Sequence, residues 1–451
     1  MQTMSSRTKM KTINGDSLTP ILIFRRLQGT HKFLLESSSQ HEGAGRFSFI
    51  GANPRKTYKG MGQEIQEISH ETGKTYVHKG NLFVLLKRLM PRITNTTQFP
   101  FSGGAVGFIG HSGTKVFNDN QVEMLEAHFH VYETIIVFDH LTDEVTLIHT
   151  NIDAEKQQPS LEELAQQLLN GHVSDEATSR YHGLDRMSYV QFAKDLQTIQ
   201  ESLTNNISRV VLPKQYVANF QGHAFTLYRQ LRKMKPAAYM YYIEFDDYVV
   251  LGTSPESLIR VKGDKVIATP MEGTYPRGET KSEDLENERK LYDHSAIRKS
   301  HALLVRTVQQ DLQSVCFRDS VQIIDAMRIE ESKQALHMTS TVEGQLLPML
   351  HALDVLAATL PTFSTVGFPN EQMARSIKRR SNFGGALGFI GFNGHLDFAL
   401  TGQSIVVDHE SMNMQTTITV TKYTDVQKVL DRVKEEQEAF LQLLTNNGGQ
   451  D

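Results

Sequence analysis

The chain has 451 residues, 39% of them apolar, and a net charge of −4 from 47 basic and 51 acidic side chains. That length suffices for one large body or two to three domains, and the balanced charge argues against an electrostatic nucleic-acid binder or a polybasic membrane surface. The one cysteine, Cys316, leaves no intramolecular disulfide, and no apolar run approaches the roughly 20 residues of a membrane helix. With a polar Met1–Asp16 segment that lacks a secretory core, a cytoplasmic location is expected.

In chain order, Ile21–Phe24, Lys32–Ser37 and Arg46–Gly51 read as strands, followed by a polar hairpin over 62–80. Next comes a glycine octet, Gly103-Gly104-Ala105-Val106-Gly107-Phe108-Ile109-Gly110, which recurs as Gly384-Gly385-Ala386-Leu387-Gly388-Phe389-Ile390-Gly391. Glycines in a strand pack little, so such runs mark places where backbone or ligand comes close. The two copies suggest related halves of one architecture; both fit close sheet packing, and the second is expected to line a pocket. Val131–Phe138 and Val145–His149 read as paired strands. Ser160 with Glu163 is a capping box opening an amphipathic helix to Leu169, and 170–187 reads as a linker and main boundary. A helix from Ser188 carries the stripe Phe192, Leu196, Ile199, Leu203. Beyond it come strands at Arg209–Leu212, Tyr239–Phe245 and Tyr248–Gly252, and a hairpin Leu258–Val261/Val266–Ala268. Helices are expected over 225–235, 282–314, 347–358 and 425–445. No dinucleotide fingerprint, Walker loop, zinc-spaced Cys/His cluster or nucleophile elbow is present.

Several motifs occur in a telling order: Leu34-Leu35-Glu36-Ser37, Gly45–Gly51, Ser254-Pro255-Glu256-Ser257, Pro270–Gly278, His337-Met338-Thr339-Ser340 and the second octet. Over roughly residues 12–445 the chain resembles chorismate-utilising enzymes, anthranilate synthase component I most closely. The resemblance implies an α+β fold: a large two-sheet antiparallel β-sandwich with surrounding helices. It also implies an N-terminal, tryptophan-binding region over 12–170 and a chorismate-binding region over 186–445. The implied reaction is amination of chorismate with loss of water and pyruvate to give anthranilate, in tryptophan biosynthesis. Ammonia would come from a glutamine amidotransferase subunit, and Mg²⁺ would grip the ring carboxylate.

A dianionic substrate needs donors at two places and an acid that helps hydroxide leave. The resemblance assigns catalysis to Glu256, Thr274 and His337, and substrate contact to Gly273, Gly384 and Gly385. It assigns tryptophan, as feedback inhibitor, to Glu36, Ser37, Tyr239 and Met240. The bland alternatives are a strand-end carboxylate for Glu256, a tight turn for Thr274 and a satisfied core histidine for His337.

Departures from the family pattern fall on chemistry. The usual Mg²⁺ ligand positions are Ser300 and Val429, not carboxylates; Asp425, Asp431 and Glu435 are the candidate substitutes. Phe363-Ser364, Asn370 and Gln403 also depart, Arg209 stands where relatives carry Gln or Lys, and Glu272 adds a negative charge beside Gly273. These changes leave weak or absent turnover open. They also leave open a para-aminobenzoate or isochorismate synthase, and a non-catalytic tryptophan-binding or glutaminase-docking subunit.

Overall fold

Strands such as Gly104–Ile109, Ala127–Tyr132 and Ala386–Gly391 are buried on both faces, which demands a layer of packing on each side of the sheet there. In the strand Thr134–Asp139, Ile136 and Phe138 join one apolar cluster while Ile135 and Val137 join another. The computed structural model describes residues 7–37, 45–93, 97–110, 125–153, 159–173, 180–184, 189–203, 209–333, 335–362, 367–368, 385–401, 404–422 and 424–445.

Among these, the strands form two twelve-stranded sheets with antiparallel pairing throughout the register. The first includes Phe33–Glu36, Thr134–Asp139, Arg209–Gln221, Tyr239–Glu244, Val249–Ser254 and Ser411–Thr421. The second includes Gly104–Ile109, Ala127–Tyr132, Ser257–Lys262, Met271–Pro276, Ala335–Gln345, Ala386–Gly391 and Leu396–Leu400. Their facing sides share one apolar layer, with Phe33, Phe49, Tyr241 and Val250 from the first sheet against Val106, Phe108, Leu387 and Phe389 from the second. Outside the first sheet lie helices Pro20–Arg26, Leu161–Asn170, Tyr189–Ser202, Ala224–Met234 and Val426–Thr445, which contribute Phe24, Leu168, Leu196, Phe225 and Val433 to its outer core. Outside the second lie Leu82–Leu89, Ser295–Gln313 and Ala352–Thr359, through Leu85, Leu312 and Leu356. The expected two-sheet antiparallel sandwich with surrounding helices is the observed architecture.

The two octets are hydrogen-bonded neighbours. Strand Gly104–Ile109 runs antiparallel to Ala386–Gly391, with Gly107 directly opposite Gly388, and every residue of both strands is buried. A Cβ on Gly107 would run into the His128 carbonyl, and one on Gly388 into the Asp397 carbonyl, so close backbone approach is the reason for glycine here.

Several local expectations change. Ile21–Phe24 is helical: Thr19 accepts from the Leu22 amide (3.1 Å) and Pro20 occupies the first turn, an N-terminal signal outweighing the β-branched run. The strand Ala127–Tyr132, partner of the first octet, was hidden in a stretch of histidines and aromatics. The segment expected as a linker holds the strand Arg180–Leu184, paired with Arg209–Gln221, itself longer than the expected Arg209–Leu212. The long helix expected over 282–314 is two, Lys281–Asp293 and Ser295–Gln313, because His294 caps both; its Nδ1 accepts from the Ile297 amide. The helix expected over 347–358 is confined to Ala352–Thr359.

Between the sheets lies a polar island. His128 bonds the Tyr248 hydroxyl through Nδ1 (2.8 Å), and His130 bonds Thr57 (2.6 Å), which also meets His70 Nε2 (2.6 Å). His31 meets Asp246 at 2.8 Å, and Lys59 pairs with the same carboxylate. Burial holds the His128 and His130 imidazoles well below their ordinary range; the nearby Lys59, His31 and His70 charges reinforce this and Asp246 opposes it.

Two predictions follow from this packing. Gly107→Ala lowers stability by about 1–3 kcal/mol in denaturant titration, the range of an overpacked core. The buried imidazoles stay neutral in the folded chain, whereas in the unfolded chain they protonate as pH falls through about 6.5. Stability is therefore fully present above that pH and declines below it. Thermal melts at pH 7.5 and 5 should show the loss, with a shallower pH slope in His130→Leu.

Candidate active site

Two chain crossings build the site. Strand Val249–Ser254 belongs to the first sheet and Ser257–Lys262 to the second, so Pro255 and Glu256 form the corner between them. Ser254 shapes that corner: its hydroxyl accepts from the Glu256 amide (3.3 Å). Glu256 is half-buried, and its carbonyl accepts from the Leu400 amide (3.1 Å). The next residue, Thr401, donates its amide (3.1 Å) and hydroxyl (3.0 Å) to the Gly385 carbonyl. Glu256 and Gly385 are therefore joined through Leu400–Thr401, where the chain returns from the second sheet to the first.

Thr274 and His337 face each other across neighbouring strands, Met271–Pro276 and Ala335–Gln345, and Thr274 Oγ1 lies 3.0 Å from His337 Nδ1. The imidazole is buried, with Ser332 Oγ 3.3 Å from Nε2. The register slips between Met271 and Thr274, where Gly273 takes φ +97°; a Cβ there would strike Ile297. Glycine thus lets the backbone bulge and aims Thr274 at the histidine. The four main candidates arrive as two pairs, Glu256 with Gly385 and Thr274 with His337, on or beside strands of one sheet. Gly384 lies outside the described residues, as do Phe363-Ser364, Asn370 and Gln403.

Beside Thr274 is an inter-sheet ion pair. Arg209, 6% exposed on the first sheet, donates from Nη1 to Glu272 Oε1 of the second (2.5 Å). The same nitrogen reaches Ser300 Oγ (3.2 Å), Nη2 donates to Thr419 Oγ1 (3.3 Å), and Ser300 donates to Glu272 at 3.3 Å. The adjacent His301 bonds Ser340 Oγ (2.7 Å), docking its helix on the sheet.

The four candidate tryptophan residues gather at one cavity of about 60 Å³, together with Phe49, Leu387 and Phe389. Met240 pairs directly with Glu36 in the ladder, and Ser37 donates to the Ala238 carbonyl. The Glu36 carboxylate accepts from the Tyr228 hydroxyl (2.6 Å) and pairs with Arg232 Nε (2.8 Å). Tyr239 donates to Asp397 Oδ1 (2.9 Å), whose carboxyl burial pushes up to about 6, against the pull of Arg260. Sequence reasoning missed Asp397, Tyr228 and Arg232: they carry no motif and are recruited only by sheet pairing and helix docking.

The donor set does not suit Mg²⁺. Ser300 offers a hydroxyl engaged with Glu272 and Arg209, and Val429 packs against the outer core of the first sheet. Asp425 accepts from the Gln427 and Lys428 amides, Asp431 from the Gln427 side chain, and Glu435 is exposed. Among the described residues no three His, Cys, Asp or Glu side chains converge as a metal would require.

Comparison with known proteins gives the family and the fold. Residues 30–428 match the family model for chorismate binding enzymes. The chain belongs to that family. Anthranilate synthase component 1 of Lactococcus lactis is 29% identical over 429 residues, covering 90% of this chain and 93% of that protein. The Thermus thermophilus protein of the same name is 28% identical, with 91% of each chain covered. The crystal structure of anthranilate synthase component I from Streptococcus pneumoniae superposes with a TM-score of 0.75 at 26% identity, covering 95% of this family member and 98% of that chain. The menaquinone-specific isochorismate synthase of Escherichia coli shares the fold (TM-score 0.73, 12% identity, coverage 97% and 95%). No helix among the described residues is long and apolar enough to cross a membrane.

Removing one member of the Arg209–Glu272 pair should be costly. Arg209→Met is expected to destabilise the chain by about 3 kcal/mol, the low end for a buried pair because Glu272 keeps some exposure. The double variant Arg209→Met/Glu272→Leu should recover most of that in urea unfolding.

Proposed function

We propose that this chain is a component I-type lyase, which converts chorismate and ammonia to anthranilate, pyruvate and water. The observation that carries the reading is the Thr274–His337 pair, set opposite by the strand register beside the Gly273 bulge. Ammonia adds to ring carbon 2 as the ring hydroxyl departs; the enolpyruvyl group then leaves as pyruvate while the ring aromatises. Glu256, at a half-buried corner, protonates the leaving hydroxyl. His337, held through Nδ1 by Thr274, and the backbone near Gly273 and Gly385 position the diacid. Mg²⁺ enters no step, since the residues here do not fit it.

The catalytic candidates all lie in the 186–445 region, whereas the tryptophan cavity draws Glu36 and Ser37 from 12–170 and Tyr239 and Met240 from 186–445, so both regions contribute to the inhibitor site. Asp397 at the cavity complements the ammonium group of an amino acid, and the aromatic lining complements an indole. Ammonia delivery by a glutamine amidotransferase partner, and a cytoplasmic location, complete the proposal. Arg209 argues against isochorismate chemistry at this site, because a guanidinium paired with a carboxylate stays protonated and is a poor base for activating water.

Purified chain incubated with chorismate and an ammonium salt should generate anthranilate fluorescence. Glu256→Gln should cut kcat by about 10²–10⁴, the usual worth of a positioned general acid. Tryptophan should raise the melting temperature and inhibit turnover, and Asp397→Asn should weaken both effects. Unchanged rates in Glu256→Gln would remove the acid assignment.

A further inference from the structure

The cluster of Arg209, Glu272 and Ser300 has one cation, one anion and a hydroxyl, all drawn together from two sheets and a helix. A divalent ion between two carboxylates would make a neutral set; so do this guanidinium and its single carboxylate. Among the described residues Glu272 is the one carboxylate bonded within the cluster, and Arg209 already neutralises it at 2.5 Å. A metal seeking that oxygen would meet a guanidinium within a few ångströms, with no second carboxylate to offset the repulsion. The helix that would carry the other ligand presents Val429 to the apolar core, and its nearest acids are spent on capping, on Gln427 or on solvent.

The guanidinium is also fixed. Ser300, from a helix, engages Nη1, and Thr419, on the strand beside Arg209 in its own sheet, engages Nη2, so the guanidinium plane is set before any ligand arrives. Planar N–H donors of this kind recognise carboxylates without the strict octahedral geometry that a hard cation needs.

We propose that Arg209, anchored by Glu272, Ser300 and Thr419, takes the place of a divalent cation, so that this chain binds the carboxylate of its substrate without metal. The inference rests on the chorismate reading above, and Arg209 acts in it as a specificity-determining binding residue.

The test uses the full-length chain with two independent probes. Mn²⁺, a paramagnetic stand-in for Mg²⁺, is titrated and its free signal followed by electron paramagnetic resonance. Chorismate binding is followed by thermal denaturation in EDTA and in excess Mg²⁺. The expected result is undiminished free Mn²⁺ with the wild-type chain and an equal chorismate-induced shift in both buffers. Arg209→Gln should abolish that shift. The double variant Arg209→Gln/Ser300→Glu sets a second carboxylate against Glu272 and should acquire Mn²⁺ binding.

Stoichiometric Mn²⁺ uptake by the wild type, or a chorismate shift seen only with Mg²⁺, would overturn the proposal. So would a folded double variant that still ignores Mn²⁺, since Arg209 would then not be what excludes the metal. Should chorismate give no shift in either buffer, the chorismate reading fails, while the Mn²⁺ titration of the wild type still decides whether the site takes a metal.

Discussion

Burial of both sheets between them and under helices is the constraint from which the rest of this structure follows. The inter-sheet layer is aromatic and tightly engaged: Phe101 stacks on Phe389 at 4.5 Å, and Phe49 meets the same ring edge-on at 5.6 Å. Because each sheet is apolar on its other side too, helices must cover it. Polar chemistry therefore collects where the chain turns from one sheet to the other. Pro255–Glu256 and the return after Leu400 are such corners, and the two octets, paired at Gly107 and Gly388, bring the neighbouring backbones close enough for them to meet.

Within this apolar body several carboxylates are held by specific partners. Glu36 is met by Tyr228 and Arg232, Glu272 by Arg209 and Ser300, Asp397 by Tyr239, and Asp246 by His31 and Lys59. A buried charge without such partners would cost several kcal/mol. Glu272 alone would repel a dianion; with Arg209 it becomes part of a neutral, oriented group. The seemingly disruptive residues at 209, 272 and 300 are thus one unit.

How much was legible beforehand divides by range of interaction. The helix at Leu161–Asn170, capped by Ser160, and the hairpin at Val261–Val266 were readable because their signals are local. The motifs around Glu256, Thr274 and His337 were readable as a resemblance, and Glu36, Ser37, Tyr239 and Met240 do share a cavity. Errors came where a local preference was overruled. Ile21–Phe24 has β-forming residues but is initiated as a helix by Thr19 and Pro20, and the polar 170–187 stretch yields a strand because the edge of Arg209–Gln221 offers it a ladder.

By itself, the sequence determined the apolar layers, the capped helix start at Ser160, the glycine-rich strands and the family to which the chain belongs. Tertiary structure alone decided that the octets are neighbours, that Arg209 spans the sheets to reach Glu272, and that Asp397 joins Glu36 at one cavity. The reason is physical: caps and periodicity act over a few residues, whereas strand register and ion pairing join residues up to hundreds of positions apart. Only the folded packing says which charges meet.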